Sequence, residues 1–314
     1  MRGLLNLLII ILLVFFAQAC TKKAEPHHAP SAPRKLLHDF SDPYNASRTI
    51  VDVFEKKLTP GGVVSYVILS LDSAIHSTGN NKKLFDRFEI FQFDSTQKKY
   101  RSIFVDVMEF GKSVEFKDLT NDAVKEIIIT RVNDSSTDAR LDGLYVYGVI
   151  SESEVNLLFY NDEENPQFAD LDADKTLEIL LEGRYQGMLD DGDEIRYTKD
   201  VYWFDGEVFA ANNTAFGEYY AKNIQRVKKQ YEALKKRILR RKNVEDIALY
   251  RAFISWILWI SASGSQIRVE HAWRTESDFL MQYLTDEQYG DVLELIEGYE
   301  TPEENVDEYK KQNV

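Results

Sequence analysis

The stretch that decides the fold is residues 168–181, which read FADLDADKTLEILL. In this stretch an acid-rich turn passes directly into the apolar run Ile179 to Leu181. The same arrangement occurs earlier at residues 116–129, which read FKDLTNDAVKEIII. Repetition at a fixed period, here about fifty residues, is the sequence signature of repeated supersecondary units. The sequence therefore predicts at least two copies of one β-rich unit.

Strand-like runs separated by turn residues occupy most of residues 48–213. They are rich in β-branched and aromatic residues and lie at 63–71, 85–93, 100–108, 127–129, 144–150, 155–160, 179–185 and 201–204. Asp205-Gly206 is a strong hairpin signal. The order acidic turn, strand, loop, aromatic strand, short turn, strand occurs twice, with a weaker version at 63–108. We predict an antiparallel β-repeat domain over residues 48–213, either propeller-like or an open curved meander.

The pattern then changes to helix. Apolar residues recur three or four positions apart over 220–238, which is the spacing of one helical stripe. Residues 244–261 are apolar on nearly all sides and predict a buried helix. Residues 285–288 form a capping box that opens a last helix. The predicted fold class is α+β, with the β domain followed by a helical domain at 214–300 and a polar tail at 301–314.

The first twenty residues indicate export. Residues 1–19 have a positive start, small residues at the end and an apolar run shorter than the roughly 20 residues that span a bilayer, as in a cleavable signal peptide. The only cysteine follows at position 20. This AQAC sequence resembles the lipobox of bacterial lipoproteins, and the resemblance implies a diacylated Cys20 thiol that anchors the protein in a membrane. The alternative is an ordinary signal peptide that happens to leave a cysteine at its end.

The residues after Cys20 complete this prediction. Thr21 is not the aspartate that commonly retains lipoproteins at the inner membrane, so the resemblance favours the outer membrane of the cell envelope. Residues 20–47 contain four of the seven prolines and few large apolar residues. That composition is typical of a flexible tether.

The acidic turns resemble the D-x-D-x-D-G-x-x-[DE] loops of FG-GAP and VCBS-type β-propeller repeats, in which alternate oxygens surround calcium. In the second copy the resemblance implies the calcium ligands Asp170, Asp172, Asp174 and Glu178. In the first copy it implies Thr120 together with Asp118, Asp122 and Glu126. Lys175 and Ala123 replace the glycine of the family, which favours a shared fold over retained calcium binding. The alternative is an Asx-type turn whose carboxylates accept hydrogen bonds from backbone N–H groups.

No catalytic set is recognisable in the sequence. The predicted folded part contains only two histidines, His76 and His271, and lacks the G-x-S-x-G, H-E-x-x-H and phosphate-loop motifs,. Hydrophilic loops at 133–142 and 186–200 occupy equivalent places in the two units and predict one functional rim. We expect a non-catalytic module that binds a protein or a glycan at these loops. The alternative is a glycan-directed envelope hydrolase that uses carboxylates on the same loops.

Charge is distributed unevenly along the chain. The formal net charge of −14 argues against nucleic-acid binding, because phosphates would be repelled. Basic residues nevertheless concentrate in 222–242. Two interpretations are open: the basic face of this helix contacts anionic lipid headgroups, or the helix packs through its apolar stripe and its charge balances the acidic β domain.

Overall fold

The computed structural model describes residues 33–40, 47–72, 84–131, 143–151, 153–161, 166–190, 192–240 and 246–298. Within these ranges the fold is α+β, as predicted. The strands are β1 (Arg48–Lys57), β2 (Val64–Asp72), β3 (Phe85–Asp94), β4 (Lys99–Lys117), β5 (Glu126–Arg131), β6 (Gly143–Ser151), β7 (Glu154–Asn161), β8 (Pro166–Ala169), β9 (Glu178–Tyr185), β10 (Ile195–Phe204) and β11 (Phe209–Ala211). The helices are α1 (Arg34–Phe40), α2 (Gly217–Leu239), α3 (Asp246–Ala262), α4 (Gln266–Tyr283) and α5 (Asp286–Glu297).

The strands form two antiparallel sheets. Sheet A contains β1 to β7 in sequential order, and sheet B contains β8 to β11, also in sequential order. Every pairing joins strands that follow one another along the chain. Of the two predicted alternatives, the structure is the open meander, because seven strands form one continuous sheet instead of separate blades.

Sheet A changes direction within β4. The first half of β4 pairs with β3 and its second half pairs with β5, and Gly111 is the residue that pairs with both neighbours. Phe110 has a φ of 52°, a left-handed conformation that bends the strand. Gly111 lies against the ring of Phe85, which is fully buried. The close approach of that ring explains why the corner needs a residue without a side chain.

This corner folds sheet A over one of its own faces. Phe88 on β3 and Tyr147 on β6 have ring centroids 4.9 Å apart, although strands three positions apart in a flat sheet lie about 14 Å apart. The Tyr147 hydroxyl also donates to Asp106 on β4 at 2.7 Å. The enclosed core is apolar and includes Val67, Leu69, Phe85, Phe88, Ile90, Met108, Ile127, Ile129, Tyr147 and Val149.

Helix α1 covers part of the opposite face of sheet A. Leu36 and Phe40 are buried against Tyr66, Ile68 and Phe91. The prediction of a flexible tether over 20–47 is therefore wrong for residues 34–40. Because Leu36 and Phe40 are four residues apart, they lie on one side of a helix, and their burial outweighs the proline-rich composition around them. The rest of the predicted tether, apart from Pro33 and Ser47, lies outside the described residues.

Sheet B is the middle layer of the molecule. On one side of β9, Ile179 and Leu181 share a core with Leu119, Val146 and Phe159 of sheet A and its loops. On its other side, Leu180 packs into the core of the C-terminal helices. This alternation follows from the two-residue period of a strand.

The helical layer agrees with the sequence pattern. Helix α3 is buried on nearly all sides, as predicted, with nine buried residues between Leu249 and Ile260. The capping box at Thr285 and Gln288 is also confirmed. The helical core includes Leu180 and Val201 of sheet B, so the domain boundary predicted at 213 runs through a shared core. Among the described residues no helix combines the length and the apolar character needed to cross a membrane.

The corner in β4 gives a first prediction. A side chain at Gly111 overlaps the buried ring of Phe85, so Gly111→Ala should lower the free energy of unfolding by about 1–3 kcal/mol. Urea unfolding followed by circular dichroism measures the change.

Gly290 on α5 supplies the matched control. A Cβ there meets no heavy atom within 4 Å, so Gly290→Ala should raise stability by about 0.5–1 kcal/mol through helix propensity. Equal stability of Gly111→Ala and the wild-type protein would show that β4 does not depend on this contact.

Candidate functional site

The two acidic turns, residues 118–126 and 170–178, have the same backbone conformation. Each contains two left-handed residues at matching positions. The φ values are 58° and 67° at Asn121 and Ala123, and 67° and 76° at Ala173 and Lys175. Ala123 and Lys175 thus adopt the conformation that glycine favours, although a side chain there is disfavoured. The repeat predicted from the sequence is therefore also a repeat in three dimensions.

Aspartate side chains hold both turns together. Asp170 accepts from the backbone N–H of Lys175 at 3.1 Å, and Asp118 accepts from that of Ala123 at 3.0 Å. Asp174 accepts from the N–H of Thr176 at 2.7 Å. The equivalent bond in the first turn joins Asp122 to the N–H of Val124 at 2.8 Å. These are the Asx-type turns predicted as the alternative to a calcium loop.

In each turn a buried glutamate accepts a hydrogen bond from the backbone. Glu126 and Glu178 are each only 2% exposed. Glu126 accepts from the N–H of Leu119 at 2.6 Å, and Glu178 accepts from that of Leu171 at 2.7 Å. Burial raises the pKa of both carboxyls, and the backbone hydrogen bonds partly oppose that shift,. Both side chains therefore act primarily in the structure of the turn.

The second turn brings three carboxylates close enough to share one cation. Oxygens of Asp170, Asp172 and Asp174 lie within 4.8 Å of one another, and all three residues are exposed. Oxygens that share one calcium ion at 2.3–2.6 Å fall within about 5 Å of each other, so this set fits calcium. Calcium bound there would cross-link the turn through these three aspartates. Glu178 does not belong to this group.

The first turn lacks an equivalent group among the described residues. Thr120 stands where the second turn has Asp172, and its hydroxyl donates to Glu126 at 3.2 Å. Asp118 and Asp122 are thus the only aspartates left to face a cation at the ligand positions. The implied ligand set Asp118, Asp122 and Glu126 is not brought together as the second one is.

The two turns meet where the two sheets join. The N–H of Leu177 donates to the carbonyl of Leu119 at 2.8 Å, which links the second turn to the first. The ammonium of Lys117 lies 5.2 Å from the ring centroid of Phe168, a cation–π distance. The repeated units therefore contact each other through corresponding regions.

A groove of about 580 Å³, which we call the seam groove, opens beside the first turn. Its walls are this turn, the β6–β7 hairpin and the β10–β11 hairpin. Three exposed apolar side chains line it: Ile150, Leu157 and Val208 are 58%, 46% and 42% exposed. Carboxylates are supplied by Asp122, Glu126 and Glu207. The groove thus presents apolar and anionic groups from three separate segments of the chain.

The other predicted site residues that the structure describes do not line this groove. Cys20, His76 and the loop at 133–142 lie outside the described residues, and His271 is exposed on α4. The predicted loop at 186–200 is shorter than expected, because β10 begins at Ile195. Two of its acidic residues form ion pairs: Asp193 with Arg251 at 2.6 Å, and Glu194 with Arg196 at 2.6 Å.

Sequence reasoning singled out Asp122 and Glu126 as calcium ligands but missed the exposed apolar residues of the groove. Leu157 belongs to a strand that the pattern predicted, and Val208 lies in the turn before β11. A single sequence does not show which of these residues stay exposed. The available signal was the hairpin at Asp205-Gly206, which places Val208 in the turn that leads into β11, the edge strand of sheet B.

Comparison with protein-family models, curated proteins and solved structures finds no match to this chain. Function is therefore inferred from the acidic turns and the seam groove.

Calcium binding at the second turn is testable. Calcium at about ten times its Kd should stabilise the folded protein by about 1.4 kcal/mol and raise Tm by a few degrees, and a chelator should reverse the shift. Differential scanning calorimetry measures Tm under both conditions.

The double substitution Asp172→Asn and Asp174→Asn should abolish the shift, because it removes two charges from the cluster. Asp122→Asn in the first turn should leave the shift intact. An identical Tm with millimolar calcium and with chelator would exclude a calcium site here.

Proposed function

We propose that this chain is a lipid-anchored cell-envelope protein whose β domain is a non-catalytic binding module. The seam groove is its binding site. The observation that carries this proposal is the exposure of Ile150, Leu157 and Val208 on one groove that also holds carboxylates. Clustered exposed apolar side chains on a soluble domain are typical of interaction sites.

The chemistry of the groove indicates what it binds. Covering the three apolar side chains with a partner removes apolar surface from water, at about 25 cal/mol per Å². Asp122 and Glu207 lie at the same groove and favour partners that offer cationic or hydroxyl groups. A protein segment or a glycan supplies both kinds of group.

The arrangement of Glu126 supports binding over hydrolysis. A glycan hydrolase needs one protonated carboxyl and a second carboxylate directed at the substrate. The Glu126 pKa is raised, as a catalytic acid requires, but both of its oxygens accept hydrogen bonds within the turn, from Leu119 and Thr120. Its carboxyl is therefore occupied by its structural role, and glycan hydrolysis is the less supported alternative.

The groove is tested by substitution. The double variant Leu157→Asp and Val208→Asp makes the groove more anionic and less apolar. Residues 20–314 carrying Cys20→Ser serve as bait on detergent-solubilised native envelope, and bound protein and sugar are quantified. A contact at these central positions contributes about 2 kcal/mol or more. The amount of protein or sugar that binds specifically to the bait should therefore fall at least about tenfold.

Ile267→Asp with Met281→Asp is the matched control. Both residues are on α4, far along the chain from the groove segments, and are 81% and 63% exposed. Capture that is equal for the groove and control variants would contradict the proposal. Shortened glycan chains in the bound fraction, prevented by Glu126→Gln, would favour the hydrolase instead.

The lipid anchor is tested independently. In cells, Cys20→Ser should move the protein from the membrane fraction to the soluble fraction. The substitution removes the thiol that is acylated, and stable anchoring needs several acyl chains. Mass spectrometry of the native protein should find acylated Cys20 at the N-terminus. An unmodified Cys20, or a retained Met1 in a cytosolic fraction, would end the lipoprotein assignment.

A further inference from the structure

Helix α2 has one buried side. Tyr220, Val227 and Tyr231 are at most 4% exposed and belong to the helical core. The ring of Tyr231 stacks on Trp256 of α3, with centroids 5.6 Å apart. The opposite side of α2 is therefore directed away from the protein.

Six cations occupy that outer side. At about 100° per residue, five of the six positions fall within about 60° of a line diametrically opposite the buried residues, and Arg237 falls about 80° from it. They are all exposed, and they are Lys222, Arg226, Lys229, Lys236, Arg237 and Arg240. From the first to the last they extend along about 27 Å of the helix. We call this set the outer basic face.

The remaining lysines of α2 are used within the protein. Lys235 pairs with Glu276 of α4, and its ammonium lies 4.7 Å from the ring centroid of Phe279. Lys228 lies over the ring of Trp256 at 5.1 Å. In the part of the chain that the structure describes, the outer basic face forms no ion pair. Contacts within the protein thus explain the positions of Lys228 and Lys235, but they do not explain the six cations of the outer basic face.

The helix itself does not stabilise this arrangement. Like charges three or four residues apart, such as Lys222 with Arg226 and Arg226 with Lys229, destabilise a helix. The helix dipole favours cations only in the last turn, and none of these three residues is in the last turn of α2. An anionic partner would relieve the repulsion.

We propose that the outer basic face binds the anionic headgroups of a lipid bilayer. A straight row of cations on one side of a helix can contact a flat surface simultaneously. Gln225, Ala233 and one acid, Glu232, stand between the cations, and the Glu232 carboxylate pairs with Lys228 at 3.9 Å. These residues are small or polar, so contact is electrostatic and at the headgroup level, without insertion.

The net charge of the molecule favours a surface over a flexible polyanion. A nucleic acid that wraps around a chain of charge −14 meets repulsion from other faces. A bilayer meets one face, and acidic residues more than about 8 Å away are screened. This inference rests on the proposed lipid anchor, which would hold α2 near the same membrane and raise its effective concentration there.

The test uses residues 20–314 carrying Cys20→Ser, so that lipidation makes no contribution. Flotation with vesicles of phosphatidylcholine containing about 30% phosphatidylglycerol measures binding. The protein with an unsubstituted outer basic face should bind these vesicles and should not bind vesicles of pure phosphatidylcholine. About 1 M salt should release it from the anionic vesicles. The variant Lys222→Gln, Lys229→Gln, Lys236→Gln and Arg240→Gln should bind at least about tenfold more weakly.

The matched control changes four exposed cations on other elements, as Lys57→Gln, Lys112→Gln, Lys125→Gln and Arg268→Gln. It alters net charge equally and should bind within about twofold of the unsubstituted face. Thermal melting confirms that both variants fold. Equal loss in both variants, binding to neutral vesicles, or no vesicle binding at all would overturn the proposal, as would binding only to a soluble polyphosphate. Because the Cys20→Ser variant carries no lipid, vesicle flotation tests only the outer basic face. The lipid anchor is tested separately by cell fractionation and mass spectrometry.

Discussion

The whole structure depends on the burial of β9 from two sides. Ile179 and Leu181 face sheet A, and Leu180 between them faces the helices. A strand that is apolar at consecutive positions has no solvent side, so it needs a layer on each face. The two other layers of the molecule meet this requirement. The composition of a few residues thus explains why a β-meander and a helical bundle form one body.

The acidic turns show how a repeated unit tolerates changes in sequence. The two copies differ at most of the positions between their first aspartate and their glutamate, yet they share two left-handed residues and the buried glutamate. The hydrogen bonds from the aspartates to the backbone keep the turn closed even without glycine. Conservation of shape here depends on carboxylates as backbone acceptors, whether or not a cation is also bound.

The sequence predicted elements well wherever the signal is local. Most of the strands, the stripe of α2, the buried α3 and the capping box at Thr285 depend on periods of two to four residues, which one sequence displays. The sequence analysis gave no separate run for β1, β8 or β11. Features that depend on contacts between distant residues were missed. They include helix α1, which forms because Leu36 and Phe40 find a sheet to pack on, and the corner at Gly111. The seam groove combines hairpins that are more than fifty residues apart, so no local pattern indicates it.

The order of the layers along the chain also sets an order of assembly. Leu180 and Val201 precede every helix that covers them. While the chain is being made, the helical side of sheet B stays open to water and to other chains until α2 and α3 follow. Exposed sheet surface in such intermediates promotes aggregation. Correct folding of this protein therefore requires its helices to cover sheet B faster than neighbouring chains bind to the exposed surface of that sheet.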